Sequence, residues 1–70
     1  MSEFGLKVKG LRKSRDLTIR TLGNELGISK SRISRYERGE TEPPLSALRK
    51  YAEFFDVTLE YLCDDDMKYR

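Results

Sequence analysis

Residues 18–39, TIRTLGNELGISKSRISRYERG, carry the pattern of two short amphipathic helices joined by a tight turn. The apolar residues of this stretch recur about one helical turn apart or lie between the two halves; they are Leu22, Leu26, Ile28, Ile33 and Tyr36. Gly27 stands where the end of a helix favours a residue that tolerates positive φ. Ser29 stands where a hydroxyl can cap the start of the next helix. The stretch therefore predicts a helix-turn-helix unit.

The outer face of the second of these helices is predicted to be polar and basic. Its exposed residues are Lys30, Ser31, Arg32, Ser34, Arg35 and Arg38. Two helices joined by a short glycine-containing turn form the unit that places a recognition helix in the DNA major groove. Long cations suit phosphates and guanine edges, and small hydroxyls permit close approach. The pattern therefore favours DNA recognition over the alternative, a solvated helix face without a partner.

A further helix is predicted ahead of this unit, over residues 5–15. Its apolar contributions are Leu6, Val8 and Leu11, with Lys and Arg filling its outer face. Gly10 should weaken this helix by roughly 1 kcal/mol relative to alanine.

The two helices of the central unit have recognisable ends. The first of them is expected over residues 18–25, with Thr18 as its N-cap. The second is expected over residues 29–37, and Gly39 ends it in the position favoured for a left-handed residue.

A fourth helix is predicted beyond the proline-containing loop at residues 40–44. Pro43 and Pro44 cannot both lie inside a helix, so the helix opens at Pro44 or Leu45. Its apolar positions recur at intervals of three and four residues. The predicted buried stripe is Leu45, Leu48, Ala52 and Phe55, flanked by Tyr51.

A short fifth helix is expected to complete the fold. Asp56 and Val57 break the fourth helix, and Thr58 can cap the fifth, with Leu59 and Leu62 pointing inward. The sequence contains no strand pattern and no internal repeat, so the predicted fold is all-α with five helices.

The charge of the chain is unevenly distributed along what can be only one domain of 70 residues. Residues 1–38 contain ten Lys or Arg against four Asp or Glu, a net charge of +6, and residues 39–70 contain four against eight, a net charge of −4. This asymmetry indicates an oriented interaction with a polyanion. The alternative is ordinary clustering of surface charge.

Several classes of protein are disfavoured by composition. Cys63 is the only cysteine and there is no histidine, so we expect no intramolecular disulfide, no zinc site and no cofactor. An enzyme is nearly excluded, because the cysteine lacks an evident base and no glycine-rich phosphate loop occurs. Nothing suggests a signal peptide, a membrane span or a small-molecule ligand, and we expect a cytoplasmic, bacterial or phage-encoded protein.

The segment from residue 11 to residue 62, LRKSRDLTIRTLGNELGISKSRISRYERGETEPPLSALRKYAEFFDVTLEYL, resembles the phage repressor and Cro type of helix-turn-helix domain. The YERG close of the third helix, the proline loop and the LSALRKYAEFFDVTLEYL tail make the resemblance specific. It implies a five-helix, λ-repressor-like DNA-binding domain. We expect this domain to span residues 5–63, followed by an acidic tail over residues 64–70.

The resemblance also implies roles for individual residues in DNA binding. Arg35 is the best candidate for a bidentate contact to guanine. The implied base-reading residues are Lys30, Ser31, Ser34 and Arg35, and the implied phosphate contacts are Thr18, Arg20, Lys13, Ser29, Arg32 and Arg38. Many members of the family carry Gln at the position of Ile19, which we expect instead to be a partly buried apolar residue of the second helix.

Two further roles implied by the resemblance are structural. Arg12 on the first helix is expected to pair with Glu37 at the end of the third, because a partly buried charge needs a partner. Gly23 takes the small-residue position of the second helix, where a large side chain would separate the two helices of the unit.

The function that the resemblance implies is a sequence-specific regulator of transcription, expected to be a repressor, that reads an inverted-repeat operator in double-stranded DNA as a homodimer. The predicted dimer interface comprises Phe54, Tyr61 and Met67. Two alternatives remain: an antitoxin or restriction-modification controller of the same fold, and a protein–protein interaction module that has lost DNA binding.

Overall fold

Five α-helices follow one another along residues 3–63, the part of the chain that the computed structural model describes. No strand occurs between these residues, and none of their helices has the length and apolarity needed to cross a membrane. The predicted all-α, five-helix fold is therefore confirmed, whereas the proposed acidic tail lies outside the described residues. The helices are α1 (Glu3–Ser14), α2 (Ile19–Leu26), α3 (Lys30–Arg38), α4 (Leu45–Phe55) and α5 (Leu59–Cys63).

The ends of α2 and α3 are fixed by the local signals that predicted them. The Thr18 hydroxyl accepts a hydrogen bond from the Thr21 backbone N–H at 3.0 Å, and the Ser29 hydroxyl accepts one from that of Arg32 at 3.3 Å. Gly27 and Gly39 follow the two helices with φ of 70° and 74°, in the left-handed region that glycine enters without steric cost. The turn of the unit is thus set locally.

The core lies between all five helices and is centred on an aromatic cluster around Tyr51. The Tyr51 ring is fully buried, and its centroid lies 5.3 Å from that of Phe4, nearly perpendicular, and 6.2 Å from that of Phe55, stacked. Such pairs add to the free energy gained from burial alone. The buried apolar residues are Phe4, Val8, Leu22, Leu26, Ile28, Ile33, Tyr36, Ala47, Tyr51, Ala52, Phe55 and Leu62.

The predicted inward face of α1 is wrong at Leu6, which is 53% exposed. The helix begins at Glu3, two residues earlier than predicted, and its buried apolar residues are Phe4 and Val8. These residues share one face at a spacing of four, whereas Leu6, halfway between them, points to the opposite face.

The predicted stripe of α4 is also displaced, because Leu45 is 55% exposed. The buried residues of this helix are Ala47, Tyr51, Ala52 and Phe55. Tyr51 therefore lies at the centre of the buried face rather than beside it. Leu45 is six residues away, about 120° around the helix axis, and so faces solvent.

Two glycines permit close approach of backbone to backbone. A Cβ on Gly5 would lie 2.6 Å from the carbonyl oxygens of both Tyr36 and Glu37, and a Cβ on Gly23 would lie 2.6 Å from that of Ile28. The absence of side chains thus lets α1 touch the end of α3, and lets α2 touch the turn that precedes α3. A Cβ on Gly10, in contrast, would meet no described atom within 4 Å beyond its chain neighbours and the backbone of its own helix.

Gly5 and Gly10 lie on the same helix and should respond oppositely to alanine. Gly10→Ala should raise the free energy of unfolding by about 0.5–1 kcal/mol, since alanine favours the helix and meets no neighbour. Gly5→Ala should lower it by about 1–3 kcal/mol, because the methyl group would overlap backbone oxygens. Urea denaturation measures both changes. Equal stabilisation by the two substitutions would contradict the close approach of α1 to α3.

Candidate nucleic-acid interface

The guanidinium of Arg12 joins three elements beneath the candidate interface. Its Nε and Nη2 donate to the Glu37 carboxylate at 2.7 and 3.0 Å, and its Nη1 donates to the Leu17 carbonyl at 2.8 Å. Arg12 is 8% exposed. The hydrogen bond to Glu37 raises the pKa of Arg12 more than burial lowers it, so the cation persists. Arg12 therefore fixes α1 and the segment before α2 against the end of α3.

The Tyr51 hydroxyl is buried and finds no hydrogen-bond partner among the residues that the structure describes. Burial raises the pKa of this phenol, and the negative charge of Glu37 raises it further. Both effects disfavour the phenolate, so the side chain remains neutral. The Tyr51 ring stabilises the fold by packing, whereas its buried hydroxyl, which lacks a hydrogen-bond partner among the described residues, destabilises it.

An open groove of about 820 Å³ lies between α3 and the N-terminal end of α2. No acidic side chain between residues 3 and 63 lines it. Thr18 caps the N-terminal end of α2, which has no acidic residue in its first turn, so its partial positive charge remains available to an anion. The residues that line the groove are Arg12, Leu17, Thr18, Ile19, Arg20, Lys30, Ser31, Ser34, Arg35 and Arg38. The arrangement creates a positive surface suited to phosphates.

The structure brings together most, though not all, of the residues that the sequence singled out for DNA contact. All four predicted base-reading residues line the groove, as do Thr18, Arg20 and Arg38 of the predicted phosphate contacts. Three other predicted phosphate contacts are exposed but lie outside it: Lys13, Ser29 and Arg32. Arg32 instead lines a neighbouring hollow with Arg35 and Thr41, and the Ser29 hydroxyl is occupied in capping α3.

Ile19 stands at the first position of α2, where the family resemblance pointed to a frequent Gln. It is partly buried and packs against the core, as expected, while also lining the groove. Its side chain offers no hydrogen bond, so the polar side chains that line the groove at this end of α2 are those of Thr18 and Arg20.

Arg38 already holds an acidic partner that the sequence analysis did not identify. Its Nε and Nη2 donate to the Glu40 carboxylate at 2.8 and 3.2 Å, and both residues are exposed. The hydrogen bond from Arg38 lowers the pKa of Glu40. Arg38 also donates through Nη1 to the Ser34 hydroxyl. The only available signal was the spacing of two residues across Gly39.

Two cations of the basic half lie away from the groove. Arg15 donates to the Phe54 carbonyl at 2.8 Å and lies over the Phe54 ring, and Lys7 donates to the Tyr61 carbonyl at 2.6 Å and lies over the Tyr61 ring. Both bind at the C-terminal ends of helices, where carbonyls favour cations. The uneven charge distribution along the sequence did not separate Lys7 and Arg15 from the cations of the groove.

The predicted dimer interface falls partly on these same contacts. Phe54 is half-buried, and Tyr61 is 36% exposed. Met67 lies outside the described residues. The cationic groups of Arg15 and Lys7 thus lie over the two described aromatics, Phe54 on α4 and Tyr61 on α5.

Two capped helices, the tight turn between them and a basic groove along the second define a helix-turn-helix domain. The chain belongs to the helix-turn-helix family HTH_3, which matches residues 8–62.

Curated relatives include transcriptional regulators. The chain is 34% identical over 62 residues to the cryptic phage CTXphi transcriptional repressor RstR of Vibrio cholerae, with 89% of this chain and 56% of that protein covered. Across this repressor and two further HTH-type regulators, the chain spans between 29% and 56% of the relative's length.

Solved structures of similar fold include one bound to DNA. The N-terminal DNA-binding domain of SinR from Bacillus subtilis matches with a TM-score of 0.82 at 28% identity, covering 91% of this chain and 94% of that one. SinR in complex with DNA matches with a TM-score of 0.79 at 31% identity, covering 87% of this chain and 98% of that one.

The two ion pairs should differ in how much the stability of the fold depends on their acidic residue. Glu37→Ala should lower the free energy of unfolding by about 3 kcal/mol, because it leaves the buried Arg12 without a counter-charge. Glu40→Ala should leave the melting temperature nearly unchanged, since solvent screens its exposed pair with Arg38. Thermal unfolding followed by circular dichroism compares them. A stable Glu37→Ala variant would show that the Arg12 pair does not hold the helices together.

Proposed function

We propose that this chain is a sequence-specific, double-stranded DNA-binding regulator of transcription that acts as a repressor, with α3 lying in the major groove. The observation that carries the proposal is the groove itself, which gathers Arg20, Lys30, Arg35 and Arg38 and which no acidic residue of the described part of the chain lines. The likeness to SinR, solved with DNA, supports DNA as the ligand. The likeness to RstR, a named repressor, supports repression.

Residues on α3 are proposed to read the bases. Lys30, Ser31, Ser34 and Arg35 share the groove-facing side of this helix. Arg35 can donate two hydrogen bonds to the O6 and N7 of one guanine. Ser34 accepts a hydrogen bond from Arg38 and keeps its own hydroxyl proton to donate.

Residues around α3 are proposed to hold the phosphates. The capped start of α2, with Thr18, offers backbone N–H groups to one phosphate, and Arg20 adds a cation beside it. Further proposed phosphate contacts, at the margins of the groove, are Lys13, Ser29, Arg32 and Arg38. The pair of Arg12 and Glu37 is proposed to orient α3 without touching DNA.

A protein–protein module that has lost DNA binding is the weaker proposal. Such a module has no need of several cations in one groove. Among the described residues, no salt bridge engages Arg20, Lys30 or Arg35, so these charges are available to an external anion.

We further propose that two chains bind one operator. A single recognition helix reads only a few base pairs, so proteins of this kind use two-fold dimers with half-sites about 34 Å apart. The proposed isologous interface comprises Phe54 at the end of α4 and Tyr61 on α5, together with Met67, which lies outside the described residues. Action on chromosomal or phage DNA would place the protein in the bacterial cytoplasm.

Arg35 and Arg20 should affect DNA binding differently. Arg35→Ala should weaken binding to a duplex selected from a random library by about 1–3 kcal/mol, because a base contact is lost. The ratio of the affinities for the selected and the random duplex should therefore fall. Arg20→Ala should weaken binding to both duplexes about equally, because a phosphate contact is lost. Fluorescence anisotropy at fixed salt measures the four affinities.

The same titrations repeated across salt concentrations test the groove as a whole. Five exposed cations that no salt bridge engages among the described residues, Lys13, Arg20, Lys30, Arg32 and Arg35, can neutralise phosphates, so log affinity should fall against log salt with a slope of about −4.5 per chain. A slope near zero would refute DNA binding through this surface, and equal losses of both affinities in Arg35→Ala would make Arg35 a phosphate contact.

The stoichiometry on a palindrome tests the dimer. Sedimentation with a palindromic duplex of about 20 base pairs should show two chains per duplex. Tyr61→Asp should reduce this to one, because a charge would be buried in the interface, while Tyr61→Phe, which keeps the ring, should bind as a pair. Two chains per duplex with Tyr61→Asp would place the interface elsewhere.

A further inference from the structure

We propose that Glu40 is a built-in competitor for DNA phosphate: it holds Arg38 in the free protein and thereby lowers the affinity of the domain for any duplex. This inference rests on the proposed function and adds to it an acidic residue that opposes binding. It concerns the loop after α3, which the assignment of DNA-contacting residues leaves unused.

The end of α3 fixes the backbone of Glu40. Gly39 adopts φ of 74°, its N–H donates to the Tyr36 carbonyl at 3.1 Å, and the Glu40 N–H donates to the Arg35 carbonyl at 3.0 Å. These two hydrogen bonds form the motif that closes a helix with a left-handed glycine. The Glu40 side chain therefore starts from a defined point, one residue beyond the glycine that follows Arg38.

The edge of Arg38 that binds Glu40 is the edge that a phosphate would need. Nε and Nη2 both donate to the carboxylate, and this pair of parallel donors also matches two phosphate oxygens. The remaining donor group, Nη1, is directed at the Ser34 hydroxyl. Glu40 and a phosphate therefore exclude one another at this edge.

The position of Arg38 makes the competition relevant to DNA. Arg38 lines the basic groove together with Ser34 and Arg35. When DNA occupies the groove, Arg38 either stays with Glu40 and contributes no phosphate contact, or leaves it and exposes a carboxylate beside the DNA. Both outcomes weaken binding. Exposed ion pairs are weak, so the competition should cost no more than about fivefold in affinity.

Glu40→Gln tests the competition, because it removes the charge and keeps the size of the side chain. The variant should bind random and selected duplexes about two- to fivefold more tightly than the unmodified chain. Its log–log salt slope should steepen by about 0.9 per chain, as one more cation becomes available to a phosphate. Thermal unfolding should be unchanged, because both partners are exposed.

Glu25→Gln supplies the charge-matched control. Glu25 is exposed on α2 and lines a different hollow, with Lys50 and Glu53, so its neutralisation changes the net charge equally. Its affinity should change less than about twofold, because among the described residues Glu25 forms no salt bridge with a cation of the groove and salt screens the long-range effect of an exposed charge. A second control repeats Glu40→Gln in an Arg38→Gln background, where the gain should vanish.

Three results would overturn the proposal: an affinity gain no larger than that of Glu25→Gln, an unchanged salt slope, or a gain that persists without Arg38. In these cases the unmodified chain still binds DNA, and the proposed function stands. If the unmodified chain binds no duplex at low salt, the proposed function fails and the competition fails with it.

Discussion

The hydrogen-bonded ion pair between Arg12 and Glu37 is the constraint on which the geometry of the candidate interface depends. One guanidinium holds α1, the segment before α2 and the end of α3. Hydrophobic contacts are non-directional and leave the rotation and sliding of short helices loosely fixed. A bidentate arginine–carboxylate contact, in contrast, has a fixed plane and distance. The helix α3 has only nine residues, so its orientation depends on contacts with the rest of the fold. The Arg12–Glu37 pair at its end and the capped turn at its start together orient it, and with it the groove.

Close backbone packing completes what the ion pair begins. Gly5 lets α1 approach the last turn of α3, where Glu37 lies, and Gly23 lets α2 approach the turn that precedes α3. Both ends of α3 are thereby seated against backbone rather than against flexible side chains. The cations have different partners: Arg12 pairs with Glu37, and Lys7 and Arg15 bind carbonyls near the ends of α5 and α4. Among the described residues, no salt bridge engages Arg20, Lys30 or Arg35 of the groove, which remain available to a ligand.

The parts of the fold that depend on neighbouring residues were predictable from the sequence, whereas those that depend on distant residues were not. Thr18, Ser29, Gly27 and Gly39 act within one turn of their own position, and all four stand as predicted. The buried faces of α1 and α4 were predicted wrongly at Leu6 and Leu45. These faces are set by the contact between the rings of Phe4 and Tyr51, which lie far apart in the sequence. The burial of a tyrosine is also harder to predict than that of a leucine, since its polar hydroxyl makes an exposed position more common.

The candidate site shows the same division. The spacing within α3 places Lys30, Ser31, Ser34 and Arg35 on one side, and the structure shows them lining one groove. The charge count could not show that Arg20 lines the groove whereas Arg15 does not. Only tertiary packing brings the C-terminal end of α4 to Arg15. Nor did the charge count assign Glu40 to Arg38, a contact made possible by the left-handed glycine between them.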